Sequence, residues 1–315
     1  MVCYHPITAY QLHRSKPNGK KDIVFSVPSG SRYGYDVINL PCGQCIGCRL
    51  ERSRQWAVRC MHEASLHSCS CFLTLTYDDA NIPWSCVTGE QTLYKRHLQL
   101  FMKRLRKHLD PLKVRFFACG EYGDNTYRPH YHVILFGYDF RADRRLYKVS
   151  RAGFPYYVSD ELNKLWEHGY CLVADVTFDT CAYVARYVTK KLNGEAGKLK
   201  YEGIQPEFTT MSRRPGIGAG WFAKYSGDVY PYDRVIMVDD TRVRKLRPPK
   251  YYDKLYDAIN HDEMELIKEK RVANAKLHED EIYTVGRLEA KERFKLAQIK
   301  NLERSKADET LQRLR

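Results

Sequence analysis

Two histidines separated by one residue, His130-Tyr131-His132, precede the apolar run Val133-Ile134-Leu135-Phe136. On a strand, alternate side chains share a face, so both imidazoles can reach a single ion. Glu121, in the turn-like stretch Gly120-Glu121-Tyr122-Gly123-Asp124-Asn125, can return as a third ligand. Two imidazoles and a carboxylate leave coordination positions open for water or a phosphate oxygen, which suits catalytic Mg²⁺ or Mn²⁺ better than a closed zinc shell. A histidine pair alone is weak evidence, since most such pairs are ordinary surface or half-buried residues.

A second group follows in Tyr183-Val184-Ala185-Arg186-Tyr187-Val188-Thr189-Lys190-Lys191. On a helix, Tyr183 and Tyr187 stand one turn apart on a single face, with Lys190 and Lys191 a further turn along. Tyrosines at this spacing commonly bury their rings in a core. The lysines favour chemistry, because a phenol with a pKa of about 10 needs nearby positive charge or a metal to act as a nucleophile at neutral pH. The two groups together make a phosphoryl-transfer centre: the ion polarises a scissile phosphate, a tyrosine attacks in line and a 3′-hydroxyl leaves. The phosphotyrosine ester conserves the bond for a later rejoining step, and a second tyrosine allows a second cut while the first end is held.

The third group is Cys42-Gly43-Gln44-Cys45-Ile46-Gly47-Cys48, a C-x₂-C-x₂-C pattern with Cys3 or His5 as a fourth ligand. Structural zinc, an iron–sulfur cluster and unligated thiols all fit this spacing. The other cysteines are scattered and read as small core residues.

These groups need elements to hold them. Arg49 to about Leu66 reads as a helix, and Phe72-Leu73-Thr74-Leu75-Thr76-Tyr77 as a buried strand ending at Asp78-Asp79. Residues 93–109 set Leu98, Phe101, Met102, Leu105 and Leu109 at helical spacing, with lysines and arginines on the other face. Lys113–Cys119 and Tyr131–Tyr138 read as neighbouring strands joined through the Glu121 turn. A helix over Ser159–Trp166, a strand over Tyr170–Phe178 and a helix capped by Asp179-Thr180 and running to about Leu192 follow. This alternation predicts an α+β core, an antiparallel sheet covered by helices. Residues 1–41 hold short strand candidates, the Gly- and Pro-punctuated stretch after Gly194 shows little regular structure, and the chain from about 250 is charged and helical.

The order of Phe72–Tyr77, His130-Tyr131-His132 and Tyr183-x-x-x-Tyr187 resembles the HUH endonucleases of rolling-circle replication. Pro41-Cys42-Gly43-Gln44-Cys45-Ile46-Gly47-Cys48-Arg49, Arg128-Pro129-His130-Tyr131-His132 and Met211-Ser212-Arg213-Arg214-Pro215-Gly216-Ile217-Gly218 resemble, over roughly residues 1–230, the replication initiators of the gokushovirus group of microviruses. The resemblance implies an HUH-type sheet core, with Glu121 carried over less securely than the histidines because the superfamily varies there. It also implies an enzyme that nicks the origin on the replicative duplex, stays joined to the 5′ end and later recircularises a unit-length genome. Single-stranded DNA at the phage origin, a host helicase and the replication machinery are the implied partners, in the cytoplasm of a bacterial host.

Composition agrees with a polyanionic partner. A formal charge of +14 favours nucleic acid, and 24 Tyr with 12 Phe supply flat faces on which unpaired bases can stack. Arg128, Arg186, Arg213 and Arg214 are the candidate DNA contacts. Residues 261–315 carry 13 Lys and Arg against 12 Asp and Glu, so the basic excess lies in the first 260 residues. Met1–Pro6 has no cationic stretch leading into an apolar run, and no window suits a membrane span, so neither secretion nor a membrane is expected. Eleven cysteines, an odd number, then read as reduced thiols of the cytosol. The expected organisation is a cysteine-cluster region with a basic helix over 1–66, an endonuclease core over 67–230, and a linker with a charged helical tail over 231–315. Two other readings compete: a plasmid relaxase or transposase of the same superfamily, and a non-enzymatic zinc-containing nucleic-acid-binding protein.

Overall fold

The structure, a computed structural model, describes residues 3–15, 21–29, 34–123, 126–150, 153–190, 197, 199–239, 242–277 and 284–311. The chain divides into two units, residues 1–51 with 272–315, and residues 52–271.

Strands β1 (Ile7–Ser15), β2 (Lys21–Val24) and β3 (Tyr35–Leu40) form an antiparallel sheet in the order β2-β1-β3. Helix α1 (Ile46–Ala64) leads into β4 (Ser70–Thr76), α2 (Lys95–His108), β5 (Arg115–Tyr122) and β6 (Pro129–Phe136). Next come β7 (Arg145–Val149), β8 (Pro155–Val158), α3 (Asp160–Trp166), β9 (Cys171–Asp175), α4 (Phe178–Lys190) and β10 (Phe208–Met211). The chain continues through α5 (Ala219–Val229), the hairpin β11 (Val235–Asp239) and β12 (Arg242–Leu246), α6 (Lys250–Asp257), α7 (His261–Lys276) and α8 (Val285–Leu311).

Among the described residues of the second unit, seven strands pair antiparallel throughout in the order β10-β5-β6-β4-β9-β8-β7. Period-two alternation sends Leu73 and Leu75 of β4, Val133 and Leu135 of β6, and Phe116 and Ala118 of β5 to one face, where Leu98, Phe101, Met102 and Leu105 of α2 and Leu162 and Trp166 of α3 cover them. The opposite face carries Phe72, Phe117, Ile134 and Phe136, packed against Ala57 and Cys60 of α1 and Cys181 and Val184 of α4. A sheet buried on both faces explains why its central strands read as nearly continuous apolar runs.

The expected α+β class is what the structure has. Helices α1, α2, α3 and α4 lie within a few residues of their expected positions. Two boundaries differ for physical reasons. Helix α4 is capped by Thr177 rather than Asp179-Thr180: the Thr180 N–H donates to Thr177 Oγ1 at 3.1 Å while the Thr177 N–H donates to Thr180 Oγ1 at 2.8 Å, a reciprocal cap. Strand β5 extends three residues past the expected Cys119, through Gly120 and Glu121 to Tyr122. Gly120 is not a turn residue here: a Cβ at this position would lie 2.8 Å from Phe208 Cε1, so glycine admits the close approach of β10's Phe208 side chain. Strand β10 and the β11–β12 hairpin add regular structure where little was expected. Among the described residues no helix is long and apolar enough to cross a membrane.

Leu73 is fully buried and pairs with Val133 and Val173 across the two neighbouring strands. Leu73→Ala should therefore cost about 2–5 kcal/mol of stability through lost burial and a residual cavity, read as a fall in the denaturant midpoint. An unchanged midpoint would contradict this packing.

Candidate active site

The β5–β6 register sets Glu121 directly opposite His130, and Cys119 opposite His132. On the other flank of β6, β4 sets Thr74 opposite His132 and Thr76 opposite His130. Directly opposed residues share a face, so Glu121, His130, His132 and Thr74 all project to the side covered by α1 and α4. The expected trio is brought together, with one correction: Glu121 is delivered by a strand and not by a turn.

His130 Nε2 lies 2.7 Å and His132 Nε2 3.0 Å from the same oxygen, Glu121 Oε1. Glu121 is 2% exposed and His132 5%, while His130 is half-buried. Burial alone would raise the Glu121 carboxyl, but the two imidazoles outweigh it and the net shift is downward, so the group is a carboxylate. Each imidazole is oriented from behind. His130 Nδ1 is 3.1 Å from the Arg128 carbonyl oxygen, and His132 Nδ1 is 3.2 Å from Thr74 Oγ1.

A carbonyl oxygen only accepts, so the Arg128 contact assigns the His130 proton to Nδ1 and leaves a lone pair on Nε2 of the neutral ring. A lone pair 2.7 Å from a carboxylate oxygen requires a proton or a cation between them. The second carboxylate oxygen, Glu121 Oε2, is buried without a hydrogen-bond partner. The three donor atoms all lie within 4.8 Å of one another. Two imidazoles turned by their outer nitrogens, a charged carboxylate and an orphaned oxygen fit a divalent cation.

Tyr183, on α4, holds its ring 5.2 Å from that of His132 at 80° and 6.4 Å from that of Phe72. The backbone of α4 continues through Tyr187 to Lys190. The side chains of Arg186, Tyr187 and Lys190 lie outside the described residues, as does Lys191 altogether. Arg128 binds the Asp79 carboxylate at 2.6 Å and the Tyr77 carbonyl oxygen at 2.9 Å, tying the end of β4 to the start of β6. Arg213 and Arg214 are exposed just after β10.

Cys3, Cys42, Cys45 and Cys48 also converge, within the first unit. His5, the other fourth ligand considered, instead pairs with Glu292 at 2.5 Å. Sequence reasoning missed Thr74. A threonine in a β-branched strand looks like an ordinary strand former, and only its register opposite His132 reveals a polar role.

The chain is 30% identical over 289 residues to the "Replication-associated protein ORF2" of Spiroplasma virus 4, covering 88% of this chain and 87% of that protein. It is 32% identical over 299 residues to the "Replication-associated protein VP4" of Bdellovibrio phage phiMH2K, covering 90% and 87%. The chain belongs to the replication-associated protein family of these phages. The family model for replication-associated proteins of the ORF2 type matches residues 70–192, which run from the first residue of β4 past the end of α4 and so contain the trio, Thr74 and both tyrosines. "Replication-associated protein ORF4" of Chlamydia phage 1 is 36% identical over 158 residues, covering 48% of this chain and 38% of that protein. No solved structure matches the chain.

If Thr74 fixes the His132 ring for metal binding, Thr74→Val should weaken Mn²⁺ binding about 10–100-fold in calorimetric titration while the fold persists. Equal affinity in the variant would remove Thr74 from the site.

Proposed function

We propose that this family member is the replication initiator of a small single-stranded DNA phage and a metal-dependent tyrosine nuclease of the HUH type. The observation that carries this reading is the convergence of Glu121, His130 and His132 on one point, with the Tyr183 ring against His132.

A Mg²⁺ or Mn²⁺ ion held by these three side chains supplies Lewis-acid polarisation of the scissile phosphate. The rest is the work of the chain. Glu121 supplies a fixed negative charge and two acceptor oxygens, and the Arg128 carbonyl and Thr74 keep both Nε2 atoms turned toward it. The Tyr183 phenolic oxygen attacks phosphorus; the Tyr–O–P bond forms, the P–O3′ bond breaks, and the leaving 3′ oxygen takes a proton to end as a hydroxyl. The DNA 5′ end is then held as a phosphotyrosine, and attack by a later 3′-hydroxyl reverses the step without ATP. Tyr187, one turn along α4, is the second nucleophile, and Lys190 and Lys191 are the cations that favour phenolate.

The cross-strand row Glu121, His130 and Thr76 continues to Tyr170, whose carbonyl accepts from the Thr76 N–H at 2.9 Å and whose side chain is 74% exposed. An exposed aromatic in line with the trio gives an unpaired base a face to stack on, which supports a single-stranded substrate. Arg213 and Arg214 are exposed cations for its phosphates. A host helicase in the bacterial cytoplasm is the partner this substrate calls for, since origin melting must expose the strand.

The test uses end-labelled single-stranded oligonucleotides tiling the source genome, incubated with Mn²⁺ or EDTA and resolved on a denaturing protein gel. An SDS-resistant adduct is expected with Mn²⁺ only, reduced in Tyr183→Phe and absent from Tyr183→Phe/Tyr187→Phe. DNA binding without an adduct under any ion would make the protein a non-catalytic binder and overturn the reading.

A further inference from the structure

Four cysteines outside the catalytic face remain unexplained by phosphoryl transfer. Cys3 lies just ahead of β1, and Cys42, Cys45 and Cys48 run from just after β3 into the first turn of α1. The β1–β3 register begins with Ile7 opposite Leu40, so the two cysteine-bearing segments leave the sheet at the same end. Their four sulfur atoms lie within 4.8 Å of one another, and Cys3 Sγ is 3.8 Å from Cys45 Sγ. All four thiols are free.

These distances decide between candidate occupants. Sulfurs bound tetrahedrally at about 2.3 Å from one ion are separated by about 3.8 Å along each tetrahedral edge. A multi-iron cluster takes its cysteines on different irons and spreads them further apart, and a disulfide needs sulfurs at about 2.05 Å. The pattern therefore matches a single ion.

The backbone around the sulfurs carries a second signal. The Cys42 N–H points to Cys3 Sγ at 3.2 Å, and the Tyr4 N–H to Cys45 Sγ at 3.3 Å. The N–H groups of Cys45 and Gln44 converge on Cys42 Sγ at 3.3 and 3.5 Å. Gly43, with φ +75°, makes the left-handed turn that swings these two donors back toward the sulfur. A neutral thiol is a weak acceptor, whereas a metal-bound thiolate carries the negative charge that several donors stabilise.

We infer that Cys3, Cys42, Cys45 and Cys48 form a mononuclear, closed tetrathiolate site for zinc. Four sulfurs fill the tetrahedral shell and leave no position for water or phosphate, so the ion is structural. It clips the start of β1 to the β3–α1 connection, closing a loop of about 40 residues around the small sheet and fixing the first turn of α1. Nothing in this inference depends on the tyrosine chemistry.

The full-length protein, purified without chelator, should contain a single zinc per chain by elemental analysis, released by a thiol-specific mercurial. Cys42→Ser and Cys48→Ser should lose it, while His130→Ala/His132→Ala should keep it. Because the serine variants can fail to fold, the wild-type chain is also exchanged with Co²⁺, where the intense sulfur-to-metal absorption of a tetrathiolate centre is expected. Freely reactive thiols in a folded, zinc-free protein would overturn the assignment. So would bound iron, a cobalt spectrum lacking thiolate bands, or zinc lost with the two histidines.

Discussion

A slip of one residue between β5 and β6 would carry Glu121 out of line with His130 and turn it to the opposite face of the sheet. The pairing of Glu121 with His130 is therefore the constraint on which the site depends. It is held by burial: the same register seats Phe117 opposite Ile134 under α1 and α4, and Phe116 opposite Leu135 under α2. Moving the carboxylate would expose one apolar layer and bury polar groups in the other. The core thus sets where two imidazoles and a carboxylate meet, and they meet with their outer nitrogens already engaged by a carbonyl and a hydroxyl.

Burial of the sheet on both faces has a second consequence. Because α4 packs Cys181 and Val184 into the layer holding Phe72 and Ile134, Tyr183 on the same helix is carried against His132. Trp166 of α3 secures the end of β4 from the other face, its indole N–H donating to the Thr76 carbonyl at 2.8 Å. The helices that bury the sheet also set the edges of the site, so packing and function share the same contacts.

Much of this was legible in the sequence where periodicity is strong. The alternation of His130 and His132 before an apolar strand, the apolar stripe of α2 and the tyrosine spacing of α4 each follow from the residues alone. Glu121 was legible as a ligand but not as a strand residue, because Gly120 and Gly123 read as turn punctuation while Gly120 in fact makes room for Phe208. Phe208–Met211 was invisible as a strand: four residues in a Gly- and Pro-rich stretch gain their order from pairing with β5. Thr74 and Tyr170 owe their interest to register alone, which a single sequence does not encode locally. The convergence of Cys3 with the distant Cys42–Cys48 segment depends in the same way on β1 pairing with β3.

The central claim is that the β5–β6 register builds a cation site from Glu121, His130 and His132. Anomalous diffraction at the manganese edge from crystals grown with Mn²⁺ tests it most directly. The account predicts a peak bonded to the Nε2 atoms of His130 and His132 and to the Glu121 carboxylate. A peak elsewhere, or none at this cluster at saturating Mn²⁺, would contradict it.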